Sequence, residues 1–208
     1  LVALLVVGDP LQATTHVDLQ LQAIEAGIEC LVFHGISVTT LVTGAIGLSN
    51  YRFGRQTTLT YPYGGWVATS PLETIILNRF TGLHTLALLD LDPTGLGTGD
   101  QRPMAPSDAV EAIVLMREKI EQGLSEREFS NDNPSDMMMK EALHSFVGED
   151  VHKMRVVLCS DMGTGDQRIV STTVDGLKDE AGGRLNCIVF PAATGEVEEK
   201  ALLRWAKE

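Results

Sequence analysis

Continuous apolar runs and helical patterns alternate along the first 48 residues. An apolar run at 2–7 ends in a Gly-Asp-Pro turn at 8–10, and apolar residues at helical spacing follow over 14–27. A second apolar run at 30–33 leads into a helix predicted over 38–48. This alternation is typical of parallel strands that helices cover on both faces. We therefore expect an α/β domain whose ligand crevice lies in the loops after the strands.

The pattern becomes polar, Thr-rich and alternating over 50–63, so we place a domain boundary near 50–54 and divide the chain into residues 1–50 and 51–208. The second part is also predicted to be α/β, with a mixed sheet. Its helices are predicted at 71–80, 107–122, 135–146 and from 196 onward. Its strands are predicted at 55–61, 85–91, 155–159, 169–174 and 186–190.

The first residue, Leu1, opens directly into the apolar run, and no charged segment precedes it. This start does not fit a signal peptide. We therefore expect the chain to begin inside its fold, without an amino-terminal segment that would carry part of the site.

Composition indicates a globular, soluble protein without a membrane span. The chain has 208 residues, of which 44% are hydrophobic and 21% charged, and its mean hydropathy is +0.07. No apolar run reaches the roughly 18 residues that a membrane-spanning helix needs. Sixteen basic residues against 28 acidic residues give a net charge of -12. A phosphate-tracking surface needs clustered basic residues, so nucleic acid is a poor candidate partner.

Cysteine and histidine spacing predicts neither a disulfide framework nor a metal site. Three widely spaced cysteines suit free thiols in a reducing compartment, so we expect a cytoplasmic protein. The five histidines lack the spacing of paired metal ligands. The cysteines are Cys30, Cys159 and Cys187, and the histidines are His16, His34, His84, His144 and His152.

Glycine-rich segments do not complete a known nucleotide or nucleophile motif. The sequence Gly-Thr-Gly-Asp-Gln-Arg occurs at 97–102 and again at 163–168, each time shortly after an apolar strand. The third glycine of a dinucleotide fingerprint is missing, and the chain has neither a phosphate-loop Gly-Lys-Ser/Thr nor a Gly-x-Ser-x-Gly elbow. The repeat indicates either an internal duplication or two independent turns.

Two polar turns remain as candidate chemistry. Asp9 follows the first predicted strand, and Ser37 follows the second in the sequence His-Gly-Ile-Ser at 34–37. One interpretation is local turn and helix-cap chemistry. The other is a small polar ligand, bound by a carboxylate and a hydroxyl above the strand ends.

Several motifs, in order and spacing, resemble the diphthine synthase family, a branch of the tetrapyrrole-methylase-like methyltransferases. They are Val-Val-Gly-Asp-Pro-Leu-Gln-Ala-Thr-Thr-His at 6–16, His-Gly-Ile-Ser-Val at 34–38, Tyr-Arg-Phe-Gly at 51–54 and Gly-Leu-His-Thr-Leu-Ala-Leu-Leu-Asp at 82–90. The resemblance covers residues 1 to about 92 and returns at 156–169 and 187–202. Ala-Thr-Thr-His and Gly-Leu-His-Thr together distinguish this branch from the wider superfamily.

The resemblance implies a two-domain tetrapyrrole-methylase-like fold, with a parallel sheet in the first domain and S-adenosylmethionine bound between the domains. Carried over position by position, the cofactor contacts fall on Asp9, Gln12, Ser37, Val38, Leu89, Cys159 and Asn186. The chain departs from the family at 159–163, where it reads Cys-Ser-Asp-Met-Gly instead of Ala-Arg-Ala-Gly-Ser. It also has Asn186 where the family usually has His, which leaves the side-chain role there open.

The resemblance further implies N-methylation of a modified histidine on translation elongation factor 2, by a homodimer. Catalytic residues stay unassigned, although Asp9, His34 and His84 are candidate general bases, and Arg52 and Arg55 are candidate contacts to the protein substrate. Two alternatives remain open. One is a superfamily relative that methylates a tetrapyrrole, and the other is a relative that binds S-adenosylmethionine without catalysis.

Overall fold

The computed structural model describes residues 2–94 and 101–207, and these residues form six α-helices and five β-strands. The helices are α1 (His16–Glu25), α2 (Val38–Ala45), α3 (Ser70–Phe80), α4 (Pro106–Leu124), α5 (Pro134–Val147) and α6 (Glu196–Leu203). The strands are β1 (Thr57–Leu59), β2 (Thr85–Leu89), β3 (Arg155–Ser160), β4 (Arg168–Thr173) and β5 (Asn186–Phe190). Short 3₁₀ helices occupy Asn50–Arg52, Val151–Lys153 and Asp175–Asp179.

The five strands form one mixed sheet in the order β1-β2-β5-β3-β4. β1 pairs with β2 in parallel, whereas every other neighbouring pair is antiparallel. The mixed sheet predicted for the second part of the chain is therefore confirmed. Because β5 runs against both of its neighbours, the carboxyl ends of β1, β2 and β3 and the start of β5 meet at one edge of the sheet. Polar loops leave the sheet at this edge.

Helices cover both faces of this sheet. Apolar side chains of α3, α4 and α5, such as Ile75, Ile113 and Phe146, pack on one face. Val42 of α2 and Leu202 of α6 belong to the smaller apolar cluster on the other face. Among residues 2–94 and 101–207, none of the helices has the length and apolar character needed to span a bilayer.

Local sequence signals set the helix starts. Ser37 accepts a hydrogen bond from the backbone N–H of Thr39 and caps α2. Asn133 caps α5 through the N–H of Ser135, and Pro134 occupies the first turn, where its missing N–H costs nothing. The helices predicted at these positions are confirmed to within a few residues.

The two strands predicted in the first part of the chain do not form. Residues 2–7 and 30–33 have no assigned strand, and the parallel sheet expected there is absent from the described residues. The side chain of Val2 is 96% exposed and that of Phe33 is 83% exposed. An apolar run records a preference for burial, but a strand also needs a hydrogen-bonded neighbour, and within 2–94 and 101–207 these segments pair with none. Helix α1 forms as predicted, although none of its residues is buried.

Candidate functional site

The turns that carry Asp9 and Ser37 meet in the structure. The backbone at Gly8 and Gly35 is so close that a Cβ atom on Gly35 would overlap the carbonyl oxygen of Gly8. His34 adds a side-chain contact, because its Nδ1 atom lies 2.8 Å from Oδ2 of Asp9. The structure therefore brings together the two turns that the sequence singled out.

The carboxylate of Asp9 is held in place but keeps acceptor capacity. Its Oδ1 atom accepts the backbone N–H of Leu11 at 2.9 Å, and its side chain is 9% exposed. The hydrogen bond from Leu11, followed by the contact with His34, lowers the pKa of Asp9 below its usual value. A carboxylate offers about four acceptor sites, and with donors from Leu11, His34 and Gly35 Asp9 keeps one for a ligand. Gln12 donates its backbone N–H to the carbonyl of Asp9 at 3.3 Å and leaves its side chain exposed.

Ser37 and Val38 lie at the amino-terminal end of α2. The Ser37 hydroxyl caps the helix and also lies 2.9 Å from the Thr39 hydroxyl. Val38 is half-buried against the apolar cluster that contains Cys159. Ser37 therefore acts as a helix cap, and a hydroxyl group can accept a further hydrogen bond while it does so.

Leu89 and Asn186 lie next to each other at the polar edge of the sheet. The β2–β5 register pairs Leu88 with Cys187, which places Leu89 beside Asn186. Leu89 buries its side chain in the larger apolar cluster, and it is the last residue of β2. The Asn186 Oδ1 atom accepts from the Ser160 hydroxyl and from the Gly183 N–H, both at 2.8 Å.

Cys159 lies in the sheet interior, directly opposite Cys187 on β5. Both side chains are buried, and among the described residues each thiol is free of disulfide bonds. A hydrogen bond with the Cys187 thiol, reinforced by burial, raises the pKa of Cys159. Cys159 therefore stays a neutral thiol, and it packs on the sheet face opposite to the side chain of Leu89.

Helix α2 connects the two groups of predicted cofactor contacts. One group lies at the two turns and the other lies on the sheet; they are Asp9, Gln12, Ser37 and Val38, and Leu89, Cys159 and Asn186. The first residue of α2, Val38, shares an apolar cluster with Cys159, and its Leu41 side chain lies against Gly163 in the loop after β3. A pocket of about 430 Å³ lies elsewhere, between α3, α5 and the segment after β5, and none of the seven predicted cofactor contacts lines it.

His84 and Arg52 are not placed for the roles that the sequence suggested, which were general base and contact to the protein substrate. His84 is completely buried, and both of its ring nitrogens have protein partners, Glu198 and the Ala192 N–H. It is therefore not placed to act as a general base. Arg52 donates to Glu198 and to the carbonyl oxygens of Gly82 and Ala193, so its guanidinium is committed within the protein.

The structure describes the whole second copy of the Gly-Thr-Gly-Asp-Gln-Arg repeat, at 163–168. Residues 97–100 of the first copy lie outside the described residues. In the second copy, Gly163 adopts a φ of +83°, and its N–H donates to the side chain of Gln167 at 3.0 Å. This copy forms the turn between β3 and β4, as expected of turn chemistry.

Two residues that the sequence pattern did not single out, Asp90 and Tyr63, lie at the same sheet edge. The strand predicted over 85–91 includes Asp90, but β2 ends at Leu89, and Asp90 is the first residue beyond it. The Tyr63 hydroxyl donates to the Asp90 carboxylate. A carboxylate at the carboxyl end of an apolar strand is the signal that could have revealed this pair. Among residues 2–94 and 101–207 there is no group of three or more metal-ligating side chains.

Known proteins that are similar in sequence to this chain include several diphthine synthases. The chain is 39% identical to the diphthine synthase of Methanocella arvoryzae over 116 residues, which are 56% of this chain and 43% of that protein. It is 30% identical to the diphthine synthase of Methanospirillum hungatei over 200 residues, or 96% of this chain and 65% of that protein. The chain thus spans between about two fifths and two thirds of the length of these relatives. No protein-family model matches it.

Solved structures agree with the sequence comparison. A crystal structure of diphthine synthase superposes with a TM-score of 0.69 at 26% identity, covering 96% of this chain and 63% of the other. The structure of a putative diphthine synthase from Entamoeba histolytica has a TM-score of 0.73 at 24% identity, covering 97% of this chain and 69% of the other. The second likeness concerns the fold alone.

Proposed function

Since the chain is similar to diphthine synthases in sequence and in fold, we propose that it takes part in S-adenosylmethionine-dependent methyl transfer in diphthamide biosynthesis. The acceptor is the amino group of the modified histidine on translation elongation factor 2. One observation carries this proposal. A relative named diphthine synthase aligns with 96% of the chain at 30% identity.

The residues at the two turns fit the cofactor chemically. A carboxylate with a free lone pair, as in Asp9, suits the hydroxyls of a ribose or an ammonium group. The Ser37 hydroxyl adds a second polar contact, and Val38 supplies apolar surface next to it. Leu89 and Asn186 lie at the edge where three strands end. We assign the seven residues predicted from the sequence to this site.

The protein's contribution to the reaction is alignment. When bound, the cofactor supplies a methyl group that its sulfonium already activates. The chain would hold that group and the acceptor amine in line, and alignment of this kind lowers the entropic part of the barrier. The lowered pKa of Asp9 makes its carboxylate a weak base, so we assign it to binding. The acceptor amine must be unprotonated, because its lone pair attacks the methyl group.

The same proposal includes an arrangement of domains and partners. Residues 1–50 belong to an amino-terminal α/β domain, and residues 51–208 form the carboxy-terminal domain. The apolar side chains exposed along 2–7 support this division, because packing within such a domain would bury them. We also propose a homodimer in the cytoplasm. The three free cysteines support a reducing compartment.

The test is mass spectrometry of elongation factor 2 that carries the aminocarboxypropyl-histidine intermediate, after incubation with the protein and S-adenosylmethionine. We expect the modified histidine peptide to gain the mass of one or more methyl groups. If calorimetry detects cofactor binding but the peptide gains no mass, the protein binds S-adenosylmethionine without catalysis. That result would overturn the proposal.

Asp9 provides the matched variant for this test. Asp9→Ala removes a carboxylate from the meeting point of the two turns, and we expect cofactor affinity to fall by roughly tenfold or more. Asp18→Ala removes the same charge from an exposed position on α1, where the side chain contacts Gln22, and it should bind as the parent does. Equal affinity of the two variants would place Asp9 outside the site.

A further inference from the structure

The carboxylate of Asp90 joins the loop after β1 to the loop after β2. Its Oδ2 atom accepts the Tyr63 hydroxyl and, at 3.2 Å, the backbone N–H of Tyr61. Its Oδ1 atom accepts the N–H groups of Leu91 at 2.8 Å and Asp92 at 3.1 Å. A single side chain therefore determines the path of the backbone immediately after Leu89.

The backbone of Asp90 extends this connection across the sheet edge. Its N–H donates to the carbonyl of Leu59 at 3.0 Å, and its carbonyl accepts the N–H of Met104 at 2.8 Å. The carbonyl of Met104 in turn lies 3.5 Å from Nδ2 of Asn186. Leu89 and Asn186 are both assigned to the cofactor site, and Asp90 lies in the network that connects them.

Tyr63 is held so that its hydroxyl can reach Asp90. Its backbone exchanges two hydrogen bonds with Trp66, of 3.0 and 2.8 Å, around a turn in which Gly64 and Gly65 have φ of +54° and +84°. Positive φ at both central positions is the conformation that glycine adopts without strain. Burial and the nearby carboxylate raise the pKa of Tyr63, which keeps its hydroxyl protonated as a donor.

We propose that Tyr63 is a positioning residue for the cofactor site, and that it acts through Asp90 to hold the backbone of Leu89 at the end of β2. The inference rests on the proposed function and extends it to a residue that does not touch the ligand. Tyr63 makes the hydrogen bond that draws the carboxylate toward the β1 loop. Without that bond, the Asp90 carboxylate keeps its backbone donors but is held less tightly, which weakens the hydrogen bonds that those donors make.

The test compares Tyr63→Phe with Tyr61→Phe, which serves as the matched control. The Tyr61 hydroxyl donates to Asp108 at 3.0 Å, and in the part of the chain that the structure describes it makes no hydrogen bond to the Asp90 side chain. We expect Tyr63→Phe to raise the dissociation constant for S-adenosylmethionine, and its KM, by roughly threefold to tenfold, with kcat unchanged. Tyr61→Phe should bind the cofactor as the parent does.

A second measurement needs no cofactor. Amide hydrogen exchange at Leu91 and Asp92 should be faster in Tyr63→Phe than in the parent or in Tyr61→Phe, because both amides donate to Asp90. Equal affinities and equal exchange in the two variants would overturn the positioning role while leaving the proposed function in place. Failure of the parent itself to bind S-adenosylmethionine would overturn both.

Discussion

The Nε2 atom of His84 lies 3.2 Å from the Oε1 atom of Glu198, 114 positions later in the chain. His84 is completely buried, and its Nδ1 atom accepts the N–H of Ala192 at 3.0 Å. The ring proton is therefore on Nε2 and points at the carboxylate. Glu198 also accepts hydrogen bonds from the backbone N–H of Ser49 at 3.0 Å and from Nη1 of Arg52 at 2.6 Å. This carboxylate links α6 to the segment that follows α2 and to the start of β2.

Replacing this carboxylate should destabilise the protein. Glu198→Gln keeps the shape but puts an amide NH₂ where donors already converge, and we expect a loss of about 2–4 kcal/mol in the free energy of unfolding. Urea denaturation measures it. Glu196→Gln, on the same helix but exposed and paired with Lys200, should change the free energy by less than about 0.5 kcal/mol. A similar loss in both variants would contradict the role of Glu198.

Glu198 should also govern part of the acid sensitivity. Its hydrogen-bond donors outweigh the opposing effect of burial and lower its pKa from 4.5 to about 2. A lowered carboxyl pKa contributes stability that is fully present above about pH 4.5 and is lost as the pH falls toward about 2. The difference in unfolding free energy between the parent and Glu198→Gln should therefore shrink across that window. A constant difference would mean that Glu198 titrates normally.

His84 should cause a separate loss of stability at milder acidity. Burial lowers its pKa below the usual 6.5, so the unfolded chain binds a proton before the folded protein does. Stability therefore falls as the pH drops below about 6.5. His84→Gln keeps a donor for Glu198 but does not titrate, and its unfolding free energy should vary less between pH 7 and pH 5.5. Equal pH slopes would show that His84 is accessible to protons in the folded state.

The close approach of the two turns can be tested with one methyl group. Gly35→Ala would place a Cβ atom against the carbonyl oxygen of Gly8, which is backbone and cannot move alone. We expect the turns to separate, the contact between Asp9 and His34 to break, and cofactor affinity measured by calorimetry to fall by roughly tenfold. Gly44→Ala is the control, because its Cβ would meet open space in α2 and should slightly stabilise the helix. Normal binding by Gly35→Ala would show that this contact does not shape the site.

Two substitutions of Ser37 separate its capping role from steric access. Ser37→Ala removes the acceptor for the Thr39 N–H and should cost about 1 kcal/mol of stability, measured by urea denaturation, with modest weakening of cofactor binding. Ser37→Leu loses the same cap and adds bulk at the predicted crevice, so it should abolish binding in calorimetry. If Ser37→Leu bound as well as Ser37→Ala, the crevice would lie elsewhere.

The sequence by itself determined where the helices begin and which segments after residue 54 are strands. Caps such as Ser37 and Asn133 act on amides two residues away, so their effect can be read locally. The strand prediction for the apolar run at 2–7 was wrong because it also rested on a local signal alone. Its composition reports a local preference for burial, whereas a strand requires a hydrogen-bonded neighbour that composition does not specify.

The tertiary structure alone decided which residues meet at the sheet edge and how the carboxy-terminal helix is anchored. β5 is last of the strands along the chain but lies between β2 and β3, and this order places Asn186 beside Leu89. Tyr63 and Asp90 are 27 positions apart, and His84 and Glu198 are 114 apart. Such contacts depend on the directions of side chains brought together by the whole fold, and sequence spacing carries no record of those directions.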